Sequence, residues 1–437
     1  MKPEEFARRR QQLAKMVGED GIAILPSAPV RLRSRDVEYR YRQDSDFYYL
    51  TGFAEPESVA VIAPGRAAGE YIVFCRERNA TKEQWDGSRA GPEGVIEYFG
   101  ADDAFPIDDI DDILPGIMES RPRVYYAMGV YPEFDAHITD WVNSLRSRES
   151  AGVHAPQEFI ALDHLLHDMR LYKSRAELTA MRRSAKVAVK AHQRAIAMVR
   201  PGLYEYEVEA EYVAEFRRHD ASASYSPIVG GGANACTLHY VTNNAALNAG
   251  DLLLIDAGCE LDYYASDITR TVPVSGRFSP EQRAIYEIVL EAQLAAIDKT
   301  QCDNHWNEPH DAAVRVITQG LKRLGLLDGT LSRLIRDEAY RPFFMHRTGH
   351  WLGIDVHDVG DYRVGDEWRL LESGMVTTVE PGIYIPANSQ VPKKWRNIGV
   401  RIEDDVAVTR KGPDVLSKGL AKEPDAIEAM MATASAA

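Results

Sequence analysis

The sequence predicts an α+β protein of two domains, a smaller α/β domain over residues 1–172 and a larger, mainly antiparallel domain over 173–437. Three observations predict it. Short β-branched runs alternate with amphipathic helical periodicity as far as about residue 170. The chain then changes character at DMRLYKS (168–174), which leads into a long, strongly periodic helix. Beyond residue 220 the pattern is strand pairs separated by turns, broken by one helical interval. A chain of 437 residues exceeds what one ordinary core supports and suits two or three domains.

Taken in order, helical periodicity covers residues 6–16 and 135–145. Residues 21–26 (GIAILP), 58–63 (SVAVIA), 71–75 (YIVFC) and 124–128 read as strands bounded by Gly and Pro. The acidic stretch 102–112 reads as a solvated turn or a helix start. The long helix runs from 176 to 199 and is stopped by PGL, and a second helix spans 205–219. One helical interval occupies 281–324. The Ala-rich end, 423–437, reads as a short helix with a frayed terminus.

Hydrophobic residues make up 45% and charged residues 27%, the balance of a soluble globular protein. No apolar run reaches the ~20 residues of a membrane span, and the N-terminus lacks the apolar core of a secretory signal. Four scattered cysteines suit reduced thiols and a cytoplasmic setting. The net charge of −15 argues against nucleic acid and anionic lipid as partners.

The informative anomaly is acid inside apolar strands. An aliphatic run at 252–255 ends in Asp256; Asp267 interrupts an alternating strand, Glu380 a buried-type strand (MVTTVEPGIYI), and Glu403 lies between apolar neighbours in VRIEDDVAV. An ionised carboxylate in such a place costs several kcal/mol unless it is paired or binds a cation. One case reads as a salt bridge or a strand-end turn; four in one domain point to a shared metal centre. The CELDYY turn makes a hairpin that aims both aspartates at one sheet face. His350, grouped with His346 and His357 in a Gly-rich segment, supplies the nitrogen ligand. Four carboxylates and one imidazole are too negative for a single zinc but suit two divalent ions about 3.5–4 Å apart. Oxygen-rich ligation with one histidine favours manganese, with cobalt, iron and zinc as alternatives.

The segments IDAG…SDITRT, HRTGHWLGIDVHD, TTVEPGIY and GVRIEDD, in this order, resemble the pita-bread metallopeptidases, and YRYRQDSDFYYLTGFAEPES resembles the start of their aminopeptidase P branch. The resemblance implies a pita-bread catalytic domain, antiparallel strands flanked by two helical pairs, behind an α/β domain that shapes the substrate pocket and mediates oligomerisation. It implies that Asp256 holds one metal, that Asp267 and Glu403 bridge both, and that His350 and Glu380 complete the other metal's shell. Glu380 is also the implied general base of a metal-bridging hydroxide. His239, His346 and His357 match substrate-facing histidines, and Arg401 and Tyr384 match residues that orient ligands and the proline-side carbonyl. Trp85 resembles a tryptophan placed near the substrate, and Asp36 a residue that reaches a neighbouring subunit in tetrameric relatives; a core anchor and a surface salt bridge are the plainer readings.

The implied activity is hydrolysis of the bond between an N-terminal residue and a penultimate proline, by a homo-oligomer (dimer or tetramer) acting on peptides. Prolidase, acting on dipeptides, is the alternative, and a non-enzymatic pita-bread scaffold is disfavoured because no ligand is lost. GGGANA (230–235) formally fits a dinucleotide fingerprint, but CTLHYVT after it alternates as a strand where a helix is required. Cys302, His305 and His310 match no closed zinc spacing and precede an ordinary helix start. Residues 300–310 depart from the family, which usually carries a Pro-Gly turn there.

Overall fold

The computed structural model describes residues 1–435. They divide into two compact units, Met1–Met169 and a second from Arg170 onward.

The first unit is built on a six-stranded mixed sheet in the order Asp103–Pro106, Tyr71–Cys75, Val59–Ile62, Gly21–Pro26, Arg123–Tyr125, Glu158–Ile160. The three central strands pair antiparallel, and the outer ones join in parallel. Ile22, Ile24, Val61, Ile72 and Phe74 bury against Leu114, Ile138, Trp141 and Leu145 of the helices Ile110–Met118 and Pro132–Arg146. Two of these strands differ from expectation. Residues 103–106, expected as turn or helix start, form an edge strand, because they pair in parallel with Ile72–Cys75, a partner distant in sequence. Residues 158–160 likewise pair with 123–125, and their mostly exposed side chains carry no alternation.

In the second unit, helices Arg175–Met198 and Glu205–Arg218 form one packed pair and Pro280–Lys299 and Glu308–Arg323 another. Their starts are encoded locally. Ser174 accepts from the Glu177 amide while Glu177 accepts from the Ser174 amide, and Ser279 and Gln282 repeat the reciprocal cap. The helical interval expected at 281–324 is thus two helices. Short antiparallel sheets lie with them: Thr269–Pro273, Leu252–Asp256 and Ile228–Gly231; Val376–Val379, Asp404–Thr409 and Gly412–Val415; and the pair Gly382–Ile385 with Ile398–Arg401. One core joins the helices to these sheets, with Ala188, Tyr212, Leu253, Ile255, Ile285, Val289, Val400 and Val406 at its centre.

CTLHYVT is not a strand. Residues 232–236 form a 3-10 turn opened by Gly232 at φ +56°, and the chain to residue 244 is irregular. The alternation is met instead by loop packing, with Leu238 and Tyr240 against Ile228, Ala235, Leu254 and Tyr384. No helix among the described residues is long and apolar enough to cross a membrane.

Candidate metal centre

The four acidic residues singled out in the sequence come together. Asp256 ends its strand directly opposite Thr269, which places Asp256, Thr269 and the upstream Asp267 on one face of the pair. Glu380 follows strand Val376–Val379, and Glu403 lies between the neighbouring strand ends Arg401 and Asp404. All line one cleft of about 490 Å³ with Tyr225, His239, His346, Arg347, His350, His357 and Arg401.

Two glycines make this approach possible. A Cβ on Gly258, two residues after Asp256, would stand 1.8 Å from the Ser266 carbonyl oxygen, one residue before Asp267. A Cβ on Gly349, beside His350, would stand 2.1 Å from the carbonyl oxygen of Thr378, two residues before Glu380. Both ligand-bearing pairs of segments therefore sit closer than any side chain permits.

His350 is oriented for ligation. Its Nδ1 donates to the Trp351 carbonyl at 2.9 Å, which leaves the Nε2 lone pair 3.4 Å from Asp267 and 3.7 Å from Glu380. Ligand atoms of Asp267, His350 and Glu403 lie within 4.8 Å of one another. Asp256 is held from two sides: Arg401 Nη2 reaches it at 2.6 Å, and the Tyr225 hydroxyl lies 2.5 Å from both Asp256 and Asp267. Thr269 donates to Glu403 at 2.7 Å, and Asp405 accepts the Asp267 amide.

The electrostatics follow from crowding. Burial, then the charges of its acidic neighbours, pushes Asp267 well above the carboxylate range, and Glu403 likewise. Burial raises Glu380 despite His350 and Arg401. Burial would also raise Asp256, but Arg401 and the Tyr225 hydrogen bond outweigh it and hold that carboxyl low. Four carboxylates thus face one guanidinium, a donor set short of positive charge and made of hard oxygens with one imidazole nitrogen. Divalent cations fit it.

The histidines divide into two kinds. His346 donates through Nδ1 to the Arg347 carbonyl at 2.7 Å and accepts through Nε2 from the Tyr384 hydroxyl at 2.9 Å, while Arg401 donates to the same Tyr384 oxygen. Burial and the Arg401 charge lower it to about 3. His346 has no ring N–H left for a substrate carbonyl in this arrangement. His239 and His357 line the cleft without a hydrogen bond among the described residues. His357 packs edge-on to His350 at 4.4 Å, and burial, with its histidine neighbours, lowers it.

His357 stands on a buried ionic clamp: Asp358 accepts from Lys173 at 2.8 Å and from Arg170 at 2.6 Å, and Asp355 pairs with Arg170. Cys302, His305 and His310 are directed to three different partners, the Thr409 carbonyl, the Trp368 carbonyl and the Thr348 hydroxyl. Trp85 lies in the first unit, on the short helix Ala80–Asp86, and is 85% exposed. Asp36 is exposed in the same unit. Sequence reasoning missed Tyr225, Thr269, Gly258 and Gly349; only the glycines, each beside a ligand, carried a signal.

The model of metallopeptidase family M24 matches residues 179–410, a span that contains all five of Asp256, Asp267, His350, Glu380 and Glu403. The chain belongs to metallopeptidase family M24. The aminopeptidase P N-terminal domain matches residues 6–125, so the M24 fold here is the two-domain pita-bread arrangement expected. Among M24 relatives, the chain is 43% identical over 433 residues to an Xaa-Pro aminopeptidase of Escherichia coli, covering 99% of this chain and 98% of the other. A Haemophilus influenzae Xaa-Pro aminopeptidase is 41% identical over 98% of this chain and 97% of its own. The solved structure of Pseudomonas aeruginosa aminopeptidase PepP is 60% identical, with a TM-score of 0.99 over 100% of this chain and 99% of that one.

Proposed function

We propose that the chain is a dinuclear metallo-aminopeptidase that cleaves between an N-terminal residue and a penultimate proline. The observation that carries this reading is the set of four buried carboxylates facing the free Nε2 of His350 across one cleft. The proline preference rests on relatives named Xaa-Pro aminopeptidase that match over nearly the whole chain.

In this reading Asp256 would hold one ion, His350 with Glu380 the other, and Asp267 and Glu403 would serve both; manganese suits the donor set. Bound cations would supply Lewis acidity and a water acidic enough to deprotonate near neutrality. Glu380, beside His350, would take up a proton as general base. His239 and His357 direct ring N–H groups at the developing oxyanion. Arg401 keeps Asp256 ionised and Tyr384 in place, and Tyr384 fixes His346. The free substrate amine would take an open position on a bound cation and fix the cleavage register. The reading extends to the first unit, which carries the exposed Trp85 and would mediate assembly into a dimer or tetramer. The four free cysteines agree with a cytoplasmic setting.

The test is turnover of a Gly-Pro-X tripeptide beside the dipeptide Gly-Pro, before chelation, after it, and after manganese is returned. Tripeptide cleavage restored by manganese is expected. Turnover of the dipeptide alone would favour prolidase, and activity that survives complete removal of metal would overturn the reading.

A further inference from the structure

The cleft is lined by two arginines. Arg401 is buried and paired with Asp256. Arg347 is exposed and makes no ion pair among the described residues. Its guanidinium stands 5.1 Å from the centroid of the Trp368 ring, and that of Arg363 stands 4.2 Å from the same ring. Arg363 has no carboxylate partner among the described residues either; it reaches the Asp366 carbonyl at 3.3 Å. Two like charges gathered on one indole, neither in an ion pair among the described residues and with Asp311 the carboxylate that Arg347 feels, are unexpected in a chain with a net charge of −15.

The arrangement is built. Arg363 lies directly opposite Trp368 in a small hairpin of Arg363–Val364 with Glu367–Trp368. That hairpin stands on segment 300–310. His305 Nδ1 donates to the Trp368 carbonyl at 2.7 Å, the Trp306 amide to Arg369 and the Leu371 amide to Asn304. Trp306 in turn packs on Trp351 and Tyr362 at 4.2 and 4.7 Å. Segment 300–310 therefore positions Trp368, and Trp368 holds the two guanidinium groups, of which that of Arg347 lines the cleft.

We propose that Arg347 and Arg363, held by Trp368, form a carboxylate subsite at the rim of the cleft that receives the anionic end of the peptide downstream of the cleaved bond. This rests on the aminopeptidase reading above. In the metal-loaded protein the four carboxylates would be balanced by the proposed cations and Arg401, and the paired arginines at the rim draw a carboxylate outward. Guanidinium groups are suited to this because a carboxylate can take two parallel N–H donors from one or one from each. Binding relieves the mutual repulsion of the two cations, so the site favours an anion over a neutral amide of the same shape. The carboxylate is either the peptide's own C-terminus or an acidic side chain.

The experiment compares kcat and KM for Gly-Pro-Ala and Gly-Pro-Ala-Ala as free acids and as C-terminal amides, with Gly-Pro-Glu-amide against Gly-Pro-Gln-amide to separate the two sources. The manganese-loaded protein, Arg347→Gln, Arg363→Gln, the double variant and Arg347→Lys are assayed at low and high salt. The parent is expected to prefer acids about tenfold, mainly through KM, with the preference weakened by salt. It falls toward unity in the double variant and is partly kept by Arg347→Lys. An acid–amide ratio near one in the parent, or a ratio unchanged in the double variant, overturns the subsite. Calorimetric binding of the same acid and amide to Glu380→Gln reads the subsite without turnover. Equal affinities there refute it, whereas acid-selective binding with no peptide cleaved by any variant refutes the aminopeptidase reading instead.

Discussion

Gly258→Ala is a one-methyl test of how the metal centre is assembled. The added Cβ would lie 1.8 Å from the Ser266 carbonyl oxygen and 2.8 Å from its carbonyl carbon, both backbone atoms that no rotamer change can move. Ordinary contact begins at 3.4 Å, so the segments bearing Asp256 and Asp267 must separate by about 1.6 Å. Overpacking of this kind costs ~1–3 kcal/mol or more. A misplacement of ~1 Å among reacting groups costs ~100-fold in rate. The expected outcome is a folded protein with native-like circular dichroism, at most one tightly held metal by elemental analysis, and kcat/KM lowered by at least ~100-fold. Gly116→Ala, where nothing lies within 4 Å of the added carbon, is the matched control and should change neither. A Gly258→Ala protein that binds two metals and keeps kcat/KM within about threefold of the parent would refute the claim that this close approach sets the site.

Asp267→Ala should abolish activity and tight binding of a second metal; full occupancy of both in that variant contradicts the shared-ligand assignment. Asp358→Asn removes the carboxylate that answers Lys173, whose side chain is 0% exposed, and should destabilise the second unit by ~3–5 kcal/mol, read as an earlier urea midpoint. His192, which bridges the Ala257 carbonyl and the Tyr212 hydroxyl, is lowered to about 3 by burial, with the Arg270 charge adding to it. The unfolded chain protonates this ring below about 6.5 and the folded one resists, so its contribution is fully present above 6.5 and lost as pH falls toward 3. His192→Gln should flatten the acid limb of stability by up to ~1.4 kcal/mol per pH unit in that window, measured as the difference between urea midpoints.

The metal centre was legible because desolvation makes its ligands conspicuous. Asp256, Asp267, Glu380 and Glu403 each violate an apolar strand, and four violations in one domain have few common causes. Tyr225 was not legible, since a tyrosine in SYSPIVGG breaks no pattern; its importance lies in a hydroxyl shared between carboxylates 31 and 42 residues away. The engagement of both His346 nitrogens was hidden for the same reason, because Tyr384 is 38 residues distant. In the first unit the central strands announced themselves through β-branched runs. The edge strand 103–106 did not, because parallel pairing with a remote partner leaves no mark on a short polar segment. The error at 237–242 has a complementary origin: alternation reports that every second side chain is buried, not that the backbone has a sheet to join.

The acid next to Glu403 ties the catalytic unit to its own tail. Asp404 is answered not only by Arg270 and Gln293 but by Ser417 and Lys422, and Arg270 also donates to the carbonyls of Leu420 and Ala421. Removal of the chain from Ser417 onward would therefore take two partners from a buried carboxylate one residue from a proposed metal ligand. A tag or fusion that replaces the chain from that point, rather than extending it beyond the last helix, is expected to lower activity.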